Sequence, residues 1–271
     1  MMAVSPSRAP HIWADSPLAM IPTPMYLSQK TDMWTEGASH MCNVHNSVFR
    51  GFNSIYLQAE HVQDQDKADF VGYCMTWYKF VSTHAMEEEE VLFPAVEKML
   101  GEAVFQDTHK EHEAFLPPLT DFHTYLSTLS NPVDFSGPRL IEIMDRFRKP
   151  FEDHFRSEID TIALLADHPN APKENTPEGI KAAADLDRMG RNTVLRGGIV
   201  DVGLFFLLNL DREYEDGLWK DWPPVPRPIK WLLLNIGGWV HSGWWKFASC
   251  DAEGRPRQLY ARAAGTASNL K

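Results

Sequence analysis

From about residue 35 to about residue 167 the chain repeats apolar residues at intervals of three, four and seven, the spacing that gathers side chains on one face of an α-helix. Helix breakers are few here, and the stretch divides into four helices, roughly 36–64, 67–100, 102–130 and 137–167. The links between them are short: Gln63-Asp64-Gln65-Asp66, then Gly101, then Ser130-Asn131-Pro132 through Gly137-Pro138. Long amphipathic helices on short links pack as antiparallel neighbours. The pattern therefore predicts an all-α, up-down-up-down four-helix bundle over residues 35–168. Residues 1–34, rich in Pro, Ser and Ala, read as an irregular leader. After His168, the prolines 169, 172 and 177 mark a linker into an extension, residues 169–271. It holds a shorter helical stretch from about Glu178 to Met189, an apolar run Leu204–Leu210, the prolines 223, 224, 226 and 228, and the aromatics Trp239, Trp244 and Trp245. So apolar a tail is not expected to be disordered. It is expected to be helical and aromatic-rich and to pack on the bundle, as a lid or as a surface for a protein partner.

Several of the apolar stripes are interrupted by polar residues that can carry chemistry. In the second helix Phe70, Tyr73, Trp77, Phe80 and Val81 define a stripe that His84 continues and Val91 and Leu92 resume. Glu88 lies four residues beyond His84. The run Glu87-Glu88-Glu89-Glu90 goes round the whole helix, so one member must point inward, and Glu88 is the best placed. The fourth helix repeats the arrangement, with Phe147, Phe151, His154, Glu158 and Ile162 on one stripe. In the first, His45 shares a face with Val48, Phe52 and Ile55; in the third, Phe105, His109, His112, Leu116 and Leu119 follow one another at helical spacing.

A histidine on an apolar face is, taken alone, more often a hydrogen-bonded core residue than a ligand. Spacing changes the balance. With 11 His and 18 Glu in 271 residues, random placement yields fewer than one His-x-x-x-Glu; there are three, His84/Glu88, His109/Glu113 and His154/Glu158. A buried carboxylate without a partner costs several kcal/mol, and a metal ion is the compensation that both carboxylates and imidazoles can share. Imidazole plus carboxylate without thiolate suits iron, and also manganese or zinc. One Glu from each of two helices suits a pair of ions, since a carboxylate can bridge. Ferritin-like sites use Glu-x-x-His; no histidine here has a glutamate three residues before it.

Charge and cysteine usage narrow the function classes. The net charge of −11 argues against nucleic-acid binding. Cys42, Cys74 and Cys250 form neither a disulfide framework nor a zinc spacing. No secretory signal is evident. The most apolar candidate for a membrane span, residues 229–247, is interrupted by Lys230, Asn235, His241 and Lys246. A cytoplasmic location is the expectation. His40 and His61 are expected at the surface or just outside the site, and His123, about 16 Å along the helix from His112 at 1.5 Å per residue, outside it.

Taken together, His45-Asn46 with Arg50-Gly51-Phe52-Asn53, His84 through Glu88 followed by Leu92-Phe93-Pro94, His112 with Phe115, and His154 with Glu158 resemble the hemerythrin-like, HHE cation-binding family, especially its fungal members. The resemblance covers about residues 36–167. It implies a di-iron centre between four helices, with His45, His84, His112 and His154 as terminal ligands and Glu88 and Glu158 as bridges. One departure matters. Oxygen-carrying members place His-x-x-x-His on the third helix, whereas here Thr108 stands four before His112. His109 and Glu113 become candidates for an additional ligand, and Pro117-Pro118 is expected to disturb that helix. A missing fifth histidine leaves one iron more open. The expected function is binding of dioxygen or nitric oxide, or sensing of iron or redox state. The competing expectations are a di-iron oxidase or oxygenase acting on a small organic molecule, and an iron-free bundle working through its aromatic tail.

Overall fold

The computed structural model describes residues 11–263. A short helix, α1 (Pro24–Ser28), precedes the first long one, α2 (Met33–Gln58). Asp32 starts α2 by accepting hydrogen bonds from the amides of Trp34 and Thr35, donors that a helix start otherwise leaves bare. α3 (Lys67–Glu87) runs through one turn of π-helix, Glu88–Leu92, into α4 (Phe93–Leu100), which Gly101 closes with φ 70°. α5 (Gln106–Ser127) and α6 (Gly137–Leu164) complete the bundle. α2 packs on α3 and α6, and α5 packs on the same two, closing a four-membered antiparallel ring. The all-α four-helix bundle expected from the pattern is the fold.

The departures are local. The second helix is not one regular α-helix over 67–100: the π turn widens it at the glutamate run. Pro94 has no N–H to give to the carbonyl four residues earlier, so the chain changes register just upstream of it. α5, by contrast, stays continuous across Pro117-Pro118.

One layer of the bundle interior is filled by aromatic rings. Trp77 lies among Phe52, Phe122, Phe147 and Phe151, with centroids 5.2–6.3 Å away. The rest of the chain shares this core. α7 (Pro177–Gly197) lies along α3, and a second π turn, Gly198–Gly203, leads into α8 (Leu204–Asn209), whose six residues are all buried, chiefly against α2. The approach is close because position 51 is glycine: a Cβ there would stand 2.7 Å from the Phe205 ring and 2.8 Å from Trp77. Asn209 ties the layers together, accepting from the Tyr73 hydroxyl and the Ser249 amide, each at 3.0 Å. Arg50, buried, reaches Asp211 at 2.6 Å and Asp15 at 3.0 Å. Residues ahead of the bundle also dock: the Leu18 and Ile21 amides donate to the side chains of Asn53 and Asn46.

Farther out, Trp219, Trp222, Trp244 and Trp245 turn inward, Trp244 seated over Gly72. The helix Arg227–Asn235 and the turn Gly237–Trp239 ride on the surface. Among the described residues no helix is long and apolar enough to cross a membrane.

Candidate metal centre

Four histidines and two glutamates, one or two from each bundle helix, meet in the next layer of the bundle interior. His45 of α2, His84 at the end of α3, Glu88 in the π turn, His112 of α5, and His154 and Glu158 of α6 are all buried. Their ligand atoms fall into two groups that share Glu88: His45, His84, Glu88 and Glu158 in one, Glu88, His112 and His154 in the other, each with donor atoms within 4.8 Å of one another. His45 Nε2 stands 3.1 Å from His84 Nε2 and 3.3 Å from Glu158 Oε2. His84 Nε2 is 2.8 Å and His112 Nε2 3.5 Å from opposite oxygens of Glu88. His112 Nε2 faces His154 Nε2 at 3.0 Å, and His154 Nε2 lies 3.9 Å from Glu158 Oε2. For all this proximity, neither oxygen of either carboxylate receives a hydrogen bond in acceptable direction.

The outer ring nitrogens show which way the imidazoles are wired. His45 Nδ1 is 2.8 Å from the Phe155 carbonyl, His112 Nδ1 is 2.5 Å from Glu89, and His154 Nδ1 is 3.3 Å from Glu111. Each of these partners only accepts, so each Nδ1 donates. In the neutral rings Nε2 is then a bare lone pair, and in His112 and His154 two such lone pairs face one another. Only a cation between them relieves the repulsion: a proton in the metal-free chain, a metal ion in a loaded one. Donor nitrogens aimed inward, their backs held by acceptors, are the arrangement that metal-ligating histidines use. The donor set fits a pair of hard-to-borderline ions, iron foremost.

The electrostatics point the same way. Burial, reinforced by His84, pulls the His45 imidazole down to about 3. Burial also pushes the Glu158 carboxyl up to about 8, and the nearby Glu88 carboxylate adds to the push. Burial would raise Glu88 too, but His84 and His112 outweigh it and hold that carboxyl below its usual range. For His112, burial is overcome by Glu88, and the ring rises to about 9. The shifts share one direction, toward protons retained within the cluster of carboxylates and imidazoles, and a cation can take the place of such protons.

Of the residues singled out from the sequence, His45, His84, Glu88, His112, His154 and Glu158 are brought together, whereas His109 and Glu113 join neither group of donors. His109 turns its Nδ1 to Glu89 at 2.7 Å instead. Glu113 lies on a surface cleft of about 610 Å³ that Glu89, His109, His112, Leu116, Pro117 and Thr120 also line. Glu89 and Glu111 were not singled out. Glu89 sits in the glutamate run, and a regular helix would not aim it and Glu88 at the same neighbour; the π turn does. Glu111 meets His154 across a helix interface, where no spacing within one helix signals it.

The hemerythrin HHE cation-binding domain family matches residues 37–166. Over 262 residues the chain is 30% identical to a dimeric xanthone biosynthesis cluster protein of Cryptosporiopsis sp., covering 93% of this chain and 94% of that relative. No solved structure matches the chain. The chain belongs to the hemerythrin HHE cation-binding family, and its bundle is a metal-binding domain.

Proposed function

We propose that this protein is a non-haem di-iron protein whose centre takes a small ligand, dioxygen or nitric oxide, or reports the iron and redox state around it. His45 and His84 would hold one ion, His112 and His154 the other, and Glu88 and Glu158 would span both; manganese or zinc could take the same donors. The observation that carries this reading is the pair of buried carboxylates, none of whose four oxygens receives a well-directed hydrogen bond, set among four inward-facing imidazole nitrogens. When bound, such ions supply a Lewis-acid and redox site for a small molecule.

The chain's own residues do the rest. Phe155 through its carbonyl, Glu89 and Glu111 fix the rings of His45, His112 and His154. Phe80, Phe115, Phe151 and Phe155, all buried, keep water from the inner side. Of the six residues only His112 lines the surface cleft, so a small ligand would approach from the side of His112 and His154.

A second reading, an oxidase or oxygenase acting on a small organic molecule, is favoured by that cleft beside His112 and by the relative's place in a biosynthesis cluster. Metal analysis with the visible spectrum of the oxidised protein tests the centre: about two iron ions per chain are expected, as for carboxylate-bridged bundles. Glu88→Gln combined with Glu158→Gln should abolish metal binding while far-ultraviolet circular dichroism stays helical. Full iron content in that double variant would refute the bridging role. Dioxygen uptake that depends on an added organic compound would select the second reading over the first.

A further inference from the structure

The metal centre explains only half of the run Glu87-Glu88-Glu89-Glu90. Glu88 joins the ligand cluster, and Glu89 meets His109 and His112. Glu87 and Glu90 turn instead to the extension, where both meet one side chain. Arg196, near the end of α7, brings Nε to 2.6 Å from Glu87 and a terminal guanidinium nitrogen to 3.2 Å from Glu90. The Glu87 side chain is 5% exposed. Its charge is poorly solvated, so a facing cation matters more to it than to a surface carboxylate.

The backbone that carries Arg196 is held in place. α7 packs along α3 and against the π turn itself. It ends where Gly198 takes φ 93°, and the chain turns so closely that a Cβ at Gly197 would stand 2.6 Å from the buried Val202. Asp201, in the same turn, pairs with Lys79 of α3 at 3.1 Å. Contacts on both sides of the guanidinium thus fix it beside the glutamate run.

Four consecutive glutamates pose a problem of register. They carry the same functional group, and a shift of the turn by one residue would offer Glu87 or Glu89 to the ions in place of Glu88. Residues three apart share a face of a helical turn, so one planar, forked cation can hold Glu87 and Glu90 together. With those two fixed toward α7, Glu88 is left facing the centre. We infer that Arg196 is a positioning residue for the metal centre: by clamping Glu87 and Glu90 to the extension, it sets the register in which the π turn presents Glu88. The inference rests on the metal reading of the centre. It makes the extension part of the site, although the family match ends at residue 166.

Two measurements on the full chain test it: metal affinity by competition with a chelator, and hydrogen exchange of the amides of residues 88–92 in the metal-free protein. Arg196→Ala should weaken metal affinity at least about fivefold, the lower range of coupling between distinct sites, and should speed exchange in the π turn. The Arg196 side chain is 46% exposed, so the variant should keep the parent's circular dichroism. In a chain already carrying Glu87→Gln and Glu90→Gln, the same substitution should change neither quantity further, as a double-mutant cycle requires of groups that act through one another. Affinity or exchange indifferent to Arg196→Ala, or an effect that persists undiminished without the two carboxylates, would overturn the inference. A parent chain that takes up no metal would defeat the proposed function along with it. Metal uptake at a strength that ignores Arg196 defeats this inference alone.

Discussion

Two adjacent layers of the bundle interior are built from the same four helices and are equally dry, yet they obey different rules. In one, Phe52, Trp77, Phe122, Phe147 and Phe151 touch ring to ring, and burial of each ring adds stability. In the other, a helical turn or two away, Glu88 and Glu158 are buried without hydrogen bonds among imidazoles whose lone pairs converge. The first layer makes the fold. The second carries a desolvation cost that a bound cation would offset, and the aromatic layer and the extension packed over α2 and α3 supply the stability to bear it. Stability and chemistry thus occupy separate layers, as expected where a site is strained for function.

The sharpest way to break this comparison is to weaken the aromatic layer. Phe151 contacts Phe49, Phe52, Trp77, Phe115, Phe147 and Phe155 within centroid distances of 4.4–6.0 Å. Phe151→Ala should cost the metal-free protein about 3–5 kcal/mol in denaturant unfolding. A loss below about 1 kcal/mol, the level of an unremarkable surface change, would mean that the rings do not carry the fold.

A substitution in the neighbouring ligand layer should have the opposite sign. Glu158 is fully buried, lacks hydrogen bonds, and is driven toward its neutral form by burial and by Glu88. Glu158→Leu replaces it with a side chain of similar size and no desolvation cost. In metal-free protein the variant should be more stable by roughly 1–4 kcal/mol, in line with other buried charges exchanged for apolar residues, while binding less metal. If the metal-free variant unfolds more easily than the parent, the carboxylate is already compensated by the protein and the contrast between the two layers disappears.

How far the sequence revealed each layer follows from the same physics. The stripes Phe70–Val81 and Phe147–Ile162 lie on regular helical spacing, so the bundle, its order and the inward direction of His84, His154 and Glu158 were legible. The π turn at Glu88–Leu92 was not, because hydrophobic periodicity over five residues does not distinguish it from an α-helix. With it went Glu89, which a regular helix would have left in solvent. His109, read as a candidate ligand from its place near the seam, stands instead behind Glu89. The extension was read as packed and aromatic, but which tryptophans face inward depends on contacts such as Trp244 over Gly72, far apart in sequence.

The smallest expected effect tests whether the back of the site matters as well as its front. Glu89 holds His112 Nδ1 at 2.5 Å with one oxygen and His109 Nδ1 at 2.7 Å with the other, and it is partly exposed. Removing it therefore threatens the fold little. What it removes is the acceptor that keeps the His112 proton on Nδ1 and the lone pair on Nε2, aimed at the centre. Glu89→Ala should weaken metal affinity about 10–100-fold, the usual effect of losing a carboxylate behind a ligating histidine, measured by competition with a chelator. Glu111→Ala should weaken it less, because Glu111 stands 3.3 Å from His154 and shares the same oxygen with Ser157. Equal losses in the two variants would show that only negative charge near the site counts. Loss from Glu89→Ala alone, with unfolding unchanged, would show that the π turn exists to present two consecutive glutamates to one histidine, one from the front and one from behind.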